Sequence, residues 1–130
     1  MAKSTTNNSR LRFCELIPLS DTITEVIADR NIEIDIDDVN TYHDWLSRHH
    51  DGDIAVLVNK KNHYSYTFDA QREINNLEEM KAIAYVIYDH ATELALRGLL
   101  KIKSRRKIPY YISYDYDEAL NWLKLQMLTA

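Results

Sequence analysis

The sequence predicts an α/β domain on a mostly parallel sheet of about five strands, with an N-terminal antiparallel hairpin and four helices in the order β-β-α-β-α-β-α-β-α. Three observations lead there. Ile54-Ala55-Val56-Leu57-Val58 and Ala82-Ile83-Ala84-Tyr85-Val86-Ile87-Tyr88 are continuous apolar runs, the pattern of strands covered by helices on both faces. Segments of helical periodicity separate and follow them, so strand and helix alternate. Ahead of these lie two short strand-like segments joined by residues with turn chemistry.

The first ten residues, MAKSTTNNSR, offer nothing to bury and read as a disordered tail, so the domain is expected to run from residue 11 to 130. Phe13, Glu15 and Ile17 alternate with Cys14, Leu16 and Pro18, and Thr22 to Ile27 is rich in β-branched residues. Leu19-Ser20-Asp21 between them makes the pair a hairpin, with a break near Pro18. Asp35 then suits a helix N-cap, with Asp38 as the acid of a capping box. Ile36, Val39, His43 and Leu46 recur at helical spacing, flanked by Tyr42 and Trp45, and His49 to Gly52 close the helix. After the first apolar run, Lys60 to Phe68 reads as a polar and aromatic loop. Asp69 to Met80 reads as a helix with Ala70, Ile74 and Leu77 inward. Following the second run, Ala91 to Lys103 is helical and Ile108 to Ser113 is a shorter strand near an edge. Asp115 caps the last helix, with Glu118 three residues on and Ala119, Leu120, Leu123 and Met127 inward.

At 130 residues the chain has the size of one domain. Sixteen basic against 20 acidic residues leave a net charge of −4, so no global attraction draws it to nucleic acid. No apolar stretch is long enough to span a bilayer, and the polar first residues carry no secretory signal, which gives a cytoplasmic setting as the expectation. A single cysteine, Cys14, excludes an internal disulfide framework. Gly52 and Gly98 are the only glycines, so no glycine-rich phosphate loop, dinucleotide fingerprint or nucleophile elbow is present.

Three stretches resemble the STAS domain, the fold of anti-sigma-factor antagonists, and more closely the small bacterial proteins grouped as SpoIIAA-like or STAS/CRAL-TRIO-like. They are Ala55-Val56-Leu57-Val58-Asn59 followed by Asn62-His63-Tyr64-Ser65-Tyr66, the strand Lys81 to Tyr88, and the ending Asp117-Glu118-Ala119-Leu120-Asn121-Trp122-Leu123. The order and spacing of elements, from Leu11 to Leu123, carry most of the resemblance. It implies a non-enzymatic regulatory or interaction module that binds a protein partner. The CRAL-TRIO side implies an alternative, a small-molecule or lipid-binding carrier. In anti-sigma-factor antagonists a phosphorylated serine precedes the helix after the first buried parallel strand. The matching stretch here holds Ser65 and Thr67, with Tyr64-Ser65-Tyr66 in place of the family's Asp-Ser-(Ser/Gly) signature.

The residues themselves keep further readings open. A phosphate on Ser65 or Thr67 would meet the N-terminus of the next helix, whereas Thr67 or Asp69 equally suits a plain helix cap. His49 and His50 precede two aspartates, but adjacent helical positions diverge, and histidine suits a helix C-terminus; no metal or cofactor is expected. Lys101 to Lys107 is strongly basic, as befits a helix C-terminus or a local anion site. Tyr64, Tyr66, Asp89, His90, Tyr114 and Tyr116 all follow predicted strands, so they should meet at the carboxyl edge of the sheet, where α/β folds bind ligands. In the third helix Ala91, Leu94, Ala95, Gly98 and Ile102 are expected inward. That leaves Leu96 and Leu100, with Trp122 of the last helix, as a candidate interface for a homodimer or partner. Gly98 in mid-helix suggests a close approach there.

Overall fold

The two apolar runs lie side by side in the middle of a sheet, where their lack of polar alternation places them. The computed structural model describes residues 8–102 and 107–128. Its main sheet has six strands in the order β1 (Ser9–Arg10), β2 (Cys14–Pro18), β3 (Ile23–Ala28), β5 (Ile54–Asn59), β7 (Met80–Val86) and β8 (Tyr110–Ser113). Outside it, β4 (Glu33–Ile34) and β6 (Ser65–Tyr66) form a two-stranded parallel ribbon. The helices are α1 (Ile36–His49), α2 (Phe68–Glu73), α3 (His90–Leu100) and α4 (Tyr116–Leu128). β1, β2 and β3 pair antiparallel. β3 with β5, β5 with β7, and β7 with β8 are parallel, so Val56 stands opposite Ile83 and Val58 opposite Tyr85.

Each face of the sheet builds its own core. On one, Val26, Val56, Ile83 and Tyr85 meet Val39, Tyr42, Trp45 and Leu46 of α1, Ala70 of α2 and Leu96 of α3. On the other, Ala55, Leu57, Ala82, Ala84 and Val86 meet Ala119 and Leu123 of α4. The alternation of strand residues sorts them by size, and the alanines on the second face let α4 approach closely. Trp122 flanks this contact and stacks on Tyr111 of the edge strand, with ring centroids 5.4 Å apart. No helix among the described residues is long and apolar enough to cross a membrane.

Local chemistry fixes the hairpin and α1. Ser20 Oγ accepts from the backbone of Thr22 and Ile23, closing the turn between β2 and β3. At α1, Asp35 Oδ1 accepts from Asp38 N at 2.9 Å and Asp38 Oδ2 accepts from Asp35 N at 3.0 Å, the reciprocal capping box. Arg12 grips the same Asp38 carboxylate with two guanidinium nitrogens, one of them Nε at 2.8 Å, and thereby ties the start of α1 to the hairpin. At the far end, Gly52 turns the chain with a φ of 86°, a left-handed conformation that favours glycine.

Several expectations need correction. The sheet has six strands, because the end of the expected tail takes part in it: Ser9 pairs with Leu16, and Arg10 bridges to Asp29 at 2.8 Å. Residues 1–7 lie outside the described residues. The helix expected over Asp69 to Met80 stops at Glu73, and Met80 opens β7 instead. Asn75 and Asn76 follow, residues whose side chains compete with helical bonding; Asn76 Nδ2 donates to Glu73 Oε1 and Asn75 Nδ2 to Tyr85 Oη. The face of α3 is also different. Leu96 is the buried residue, 1% exposed, with Leu99 and Leu100 packed beside it, while Leu94 is 59% exposed. A Cβ added at Gly98 would meet nothing within 4 Å, so no close approach occurs there. Most of the basic run, residues 103–106, lies outside the described residues.

Three stability measurements follow. Leu57→Ala should cost about 2–5 kcal/mol in urea denaturation, because the side chain is fully enclosed in the central strand. Gly98→Ala should raise stability by about 0.5–1 kcal/mol, since the site has room for a methyl group and a helical backbone. Asp38→Ala should cost about 1–2 kcal/mol at neutral pH, the exposed guanidinium of Arg12 being partly screened by solvent. The hydrogen bond from Arg12 holds the Asp38 carboxyl below the ordinary aspartate range. The folded pKa is therefore below the unfolded one, so this contribution is complete above about pH 4 and is lost as pH falls through the folded value. A pH titration of stability should show a shallower acid limb in the variant.

Candidate functional site

β5 ends in Asn59 and is followed by Lys60, and continued alternation sends the two polar side chains to opposite faces of the sheet. On the α4 side, Asn59 Nδ2 donates to Glu25 Oε2 at 3.0 Å and Tyr88 Oη donates to Asn59 Oδ1 at 2.9 Å. Tyr116 Oη completes this cluster, in which Glu25 and Asn59 are buried and Tyr88 is exposed, by donating to Glu25 Oε1 at 2.6 Å. The Glu25 carboxylate is thus held by an amide and a phenol. Burial first, and then the bond to Glu25, raise the Tyr116 phenol well above its ordinary range.

On the other side, Lys60 is drawn inward and is only 9% exposed. Its Nζ donates to Tyr64 Oη at 2.8 Å and lies 4.3 Å from the Tyr64 ring centroid and 5.8 Å from that of Tyr66. The two rings meet edge to face, 5.6 Å apart. Burial raises both phenols above their ordinary pKa, so they remain protonated across the physiological range. No described carboxylate forms an ion pair with Lys60, whose described partners are the two tyrosines.

Lys60, Tyr64 and Tyr66 line a cavity of about 520 Å³ that is also lined by Leu96 and Leu99 of α3 and by Ile102 just beyond it. A second cavity of about 480 Å³ lies between α2, α3 and the β7–β8 edge, and Leu99 and Ile102 border it as well. Volumes of this size suit drug-sized molecules. α2 ends after Glu73, and Ile74 and Asn75 beyond it line the second cavity.

The first turn of α3 joins the remaining edge residues. Asp89 caps the helix by accepting from Thr92 N at 2.7 Å, and this bond is the first cause of its lowered pKa. His63 Nε2 lies 3.3 Å from the same carboxylate. Tyr114 Oη donates to Glu93 Oε1 at 2.8 Å, and Arg97 Nε donates to Glu93 Oε2 at 3.0 Å. His90 Nδ1 is 3.8 Å from Glu93. The expected edge therefore divides in two. Tyr64, Tyr66, Asp89, His90 and Tyr114 are connected through the loop and the start of α3. Tyr116 belongs to the Glu25 cluster across the sheet. Lys60 is absent from the expected set; in the sequence it is the first of the pair Lys60-Lys61, separated by Asn59 from an apolar run.

Ser65 and Thr67 have different roles. Ser65 is exposed in β6, and its backbone N donates to Ile32 O at 3.0 Å. Thr67 Oγ1 accepts from Ala70 N at 3.3 Å and caps α2. The interface expected at Leu96, Leu100 and Trp122 is corrected at Leu96, which is in the core, while Leu100 and Trp122 are half-buried. The histidines diverge too. His49 stacks on Trp45, with ring centroids 3.9 Å apart, while His50 is buried, donating from Nδ1 to Asp21 O at 2.7 Å and meeting the Thr24 hydroxyl through Nε2. Among the described residues no three His, Cys, Asp or Glu side chains converge as metal ligands. Burial pushes the Cys14 thiol up to about 12, which leaves it without nucleophilic thiolate at neutral pH.

No family model and no curated protein matches the chain. Among solved structures it is similar to a protein of the DUF3478 family from Shewanella loihica PV-4, described as uncharacterized and as having a SpoIIAA-like fold. The two share 14% identity over 90% of each chain, with a TM-score of 0.53. The chain thus has a SpoIIAA-like fold, as its order of elements implies.

The two hydroxyls can be told apart by stability. Thr67→Ala should cost about 1 kcal/mol through loss of the cap. Ser65→Ala, at an exposed position, should stay within about 0.5 kcal/mol of the parent in the same urea titration.

Proposed function

We propose that the chain is a non-enzymatic interaction module that engages a protein partner through the surface formed by β6, the loop before it and the first turn of α3, with Ser65 as its phosphoacceptor. The observation that carries this reading is the exposed hydroxyl of Ser65 on a strand held in place by backbone pairing, beside the His63–Asp89 contact. A kinase can reach that hydroxyl, whereas Thr67 is committed to capping α2. A phosphoryl group at Ser65 would add charge to a surface already set by Asp89 and Glu93, and so change which partner it accepts. Support for a non-catalytic role comes from the engagement of the polar groups. The Cys14 thiol is buried, His43 donates to Ile74 O at 2.9 Å, and His50 bonds within the core.

A second reading, carriage of a small molecule or lipid, is favoured by the cavities on either side of α3. Intact-mass measurement of the protein isolated from its own cells tests the first reading. We expect a fraction carrying one phosphoryl group, absent from Ser65→Ala and retained in Thr67→Ser. Unmodified protein under every growth condition, or modification confined to other residues, would count against Ser65. Organic extraction of the same preparation, followed by mass spectrometry, tests carriage.

A further inference from the structure

We propose that α3 covers a binding site for a long-chain carboxylate, with the head group on Lys60 and the chain lying beneath the helix. The inference deepens the carriage reading and rests on it. An ammonium taken out of water without a counter-charge is unfavourable, and Lys60 is nine-tenths enclosed with no described carboxylate paired to it. One of its three N–H groups is used by Tyr64, and the side chain lines the cavity. A single buried cation beside neutral phenols matches one negative charge. A phosphate dianion would call for more donors, and the nearest imidazole, His63, is already directed to Asp89.

The rest of the cavity selects for an apolar body. Leu96, Leu99 and Ile102 line it together with Lys60, and Leu99 and Ile102 also border the second cavity, which Ile83 and Tyr85 of β7 line as well. A chain anchored at Lys60 would lie against Leu96, Leu99 and Ile102, and the second cavity begins on the far side of Leu99 and Ile102. The helix is suited to moving aside. Among its residues only Leu96 is buried, and Ala91, Leu94, Ala95 and Gly98 face solvent or the cavity rim. Sparse burial of this kind lowers the free energy of local opening.

Displacement of a dansylated undecanoate probe tests the site. Dodecanoate should displace it from the wild-type chain, dodecanol should do so about tenfold less well, and acetate should fail. Lys60→Met should weaken dodecanoate about tenfold while leaving dodecanol unchanged, and Lys60→Arg should retain most of the affinity. Should Lys60→Met fail to fold, Ala95→Trp at the exposed rim should block the probe without disturbing the core. Equal displacement by dodecanoate and dodecanol, or unchanged dodecanoate affinity in a folded Lys60→Met, would overturn the head-group assignment and leave carriage standing. Absence of probe binding to the wild type would overturn both.

Discussion

The parallel strands advance in one direction across the sheet, from β3 to β5 to β7 to β8, and crossovers between parallel strands are right-handed. Under that constraint every connecting helix falls on the same face. α1, α2 and α3 accordingly share one side, and the other is left to α4, which follows the last strand. Side-chain size follows the same division. Val56, Val58, Ile83 and Tyr85 fill the broad space beneath three helices, whereas Ala55, Ala82 and Ala84 admit one helix at close range.

The crowded face is also the incompletely filled one. α1 is anchored by Val39, Tyr42, Trp45 and Leu46, and its N-terminus is clamped by Arg12. α2 has six residues and buries Ala70. α3 buries Leu96 and lies toward the β8 edge. The two cavities lie beside it, with the short α2 on their border. In α/β folds such unfilled places at the strand ends are where ligands collect, because the elements around them are fixed by the sheet while the space itself is not needed for the core.

Polar groups at the end of β5 are separated by the sheet. Asn59 joins the Glu25 cluster under α4, and Lys60 joins Tyr64 and Tyr66 under the opposite layer. Glu25 is satisfied within the chain by Asn59 and Tyr116. Lys60 is enclosed by aromatic faces that favour a cation but do not neutralise it. The same strand end thus carries one closed polar cluster and one positively charged opening, and the second faces the cavity.

What was legible in the sequence was local or periodic. Continuous apolar runs fixed the central parallel strands, β-branched residues around Leu19-Ser20-Asp21 fixed the hairpin, and Asp35 with Asp38 fixed the start of α1, because each depends on neighbours within a few residues. Asp115 likewise caps α4 by accepting from Glu118 N at 3.1 Å, although Glu118 turns to Ser113 instead of answering it. The face of α3 was not legible: Ala91, Leu94, Ala95 and Gly98 make one apolar stripe and Leu96, Leu99 and Leu100 another, and only docking on the sheet chooses between them. β1, β4 and β6 are two residues each and take their identity from a partner strand, which no local pattern encodes. Lys60 belongs to the same class. Its residue type marks a charge, but the two tyrosines, the wall of α3 and the absence of a described carboxylate partner arise from segments that meet only when the chain has folded.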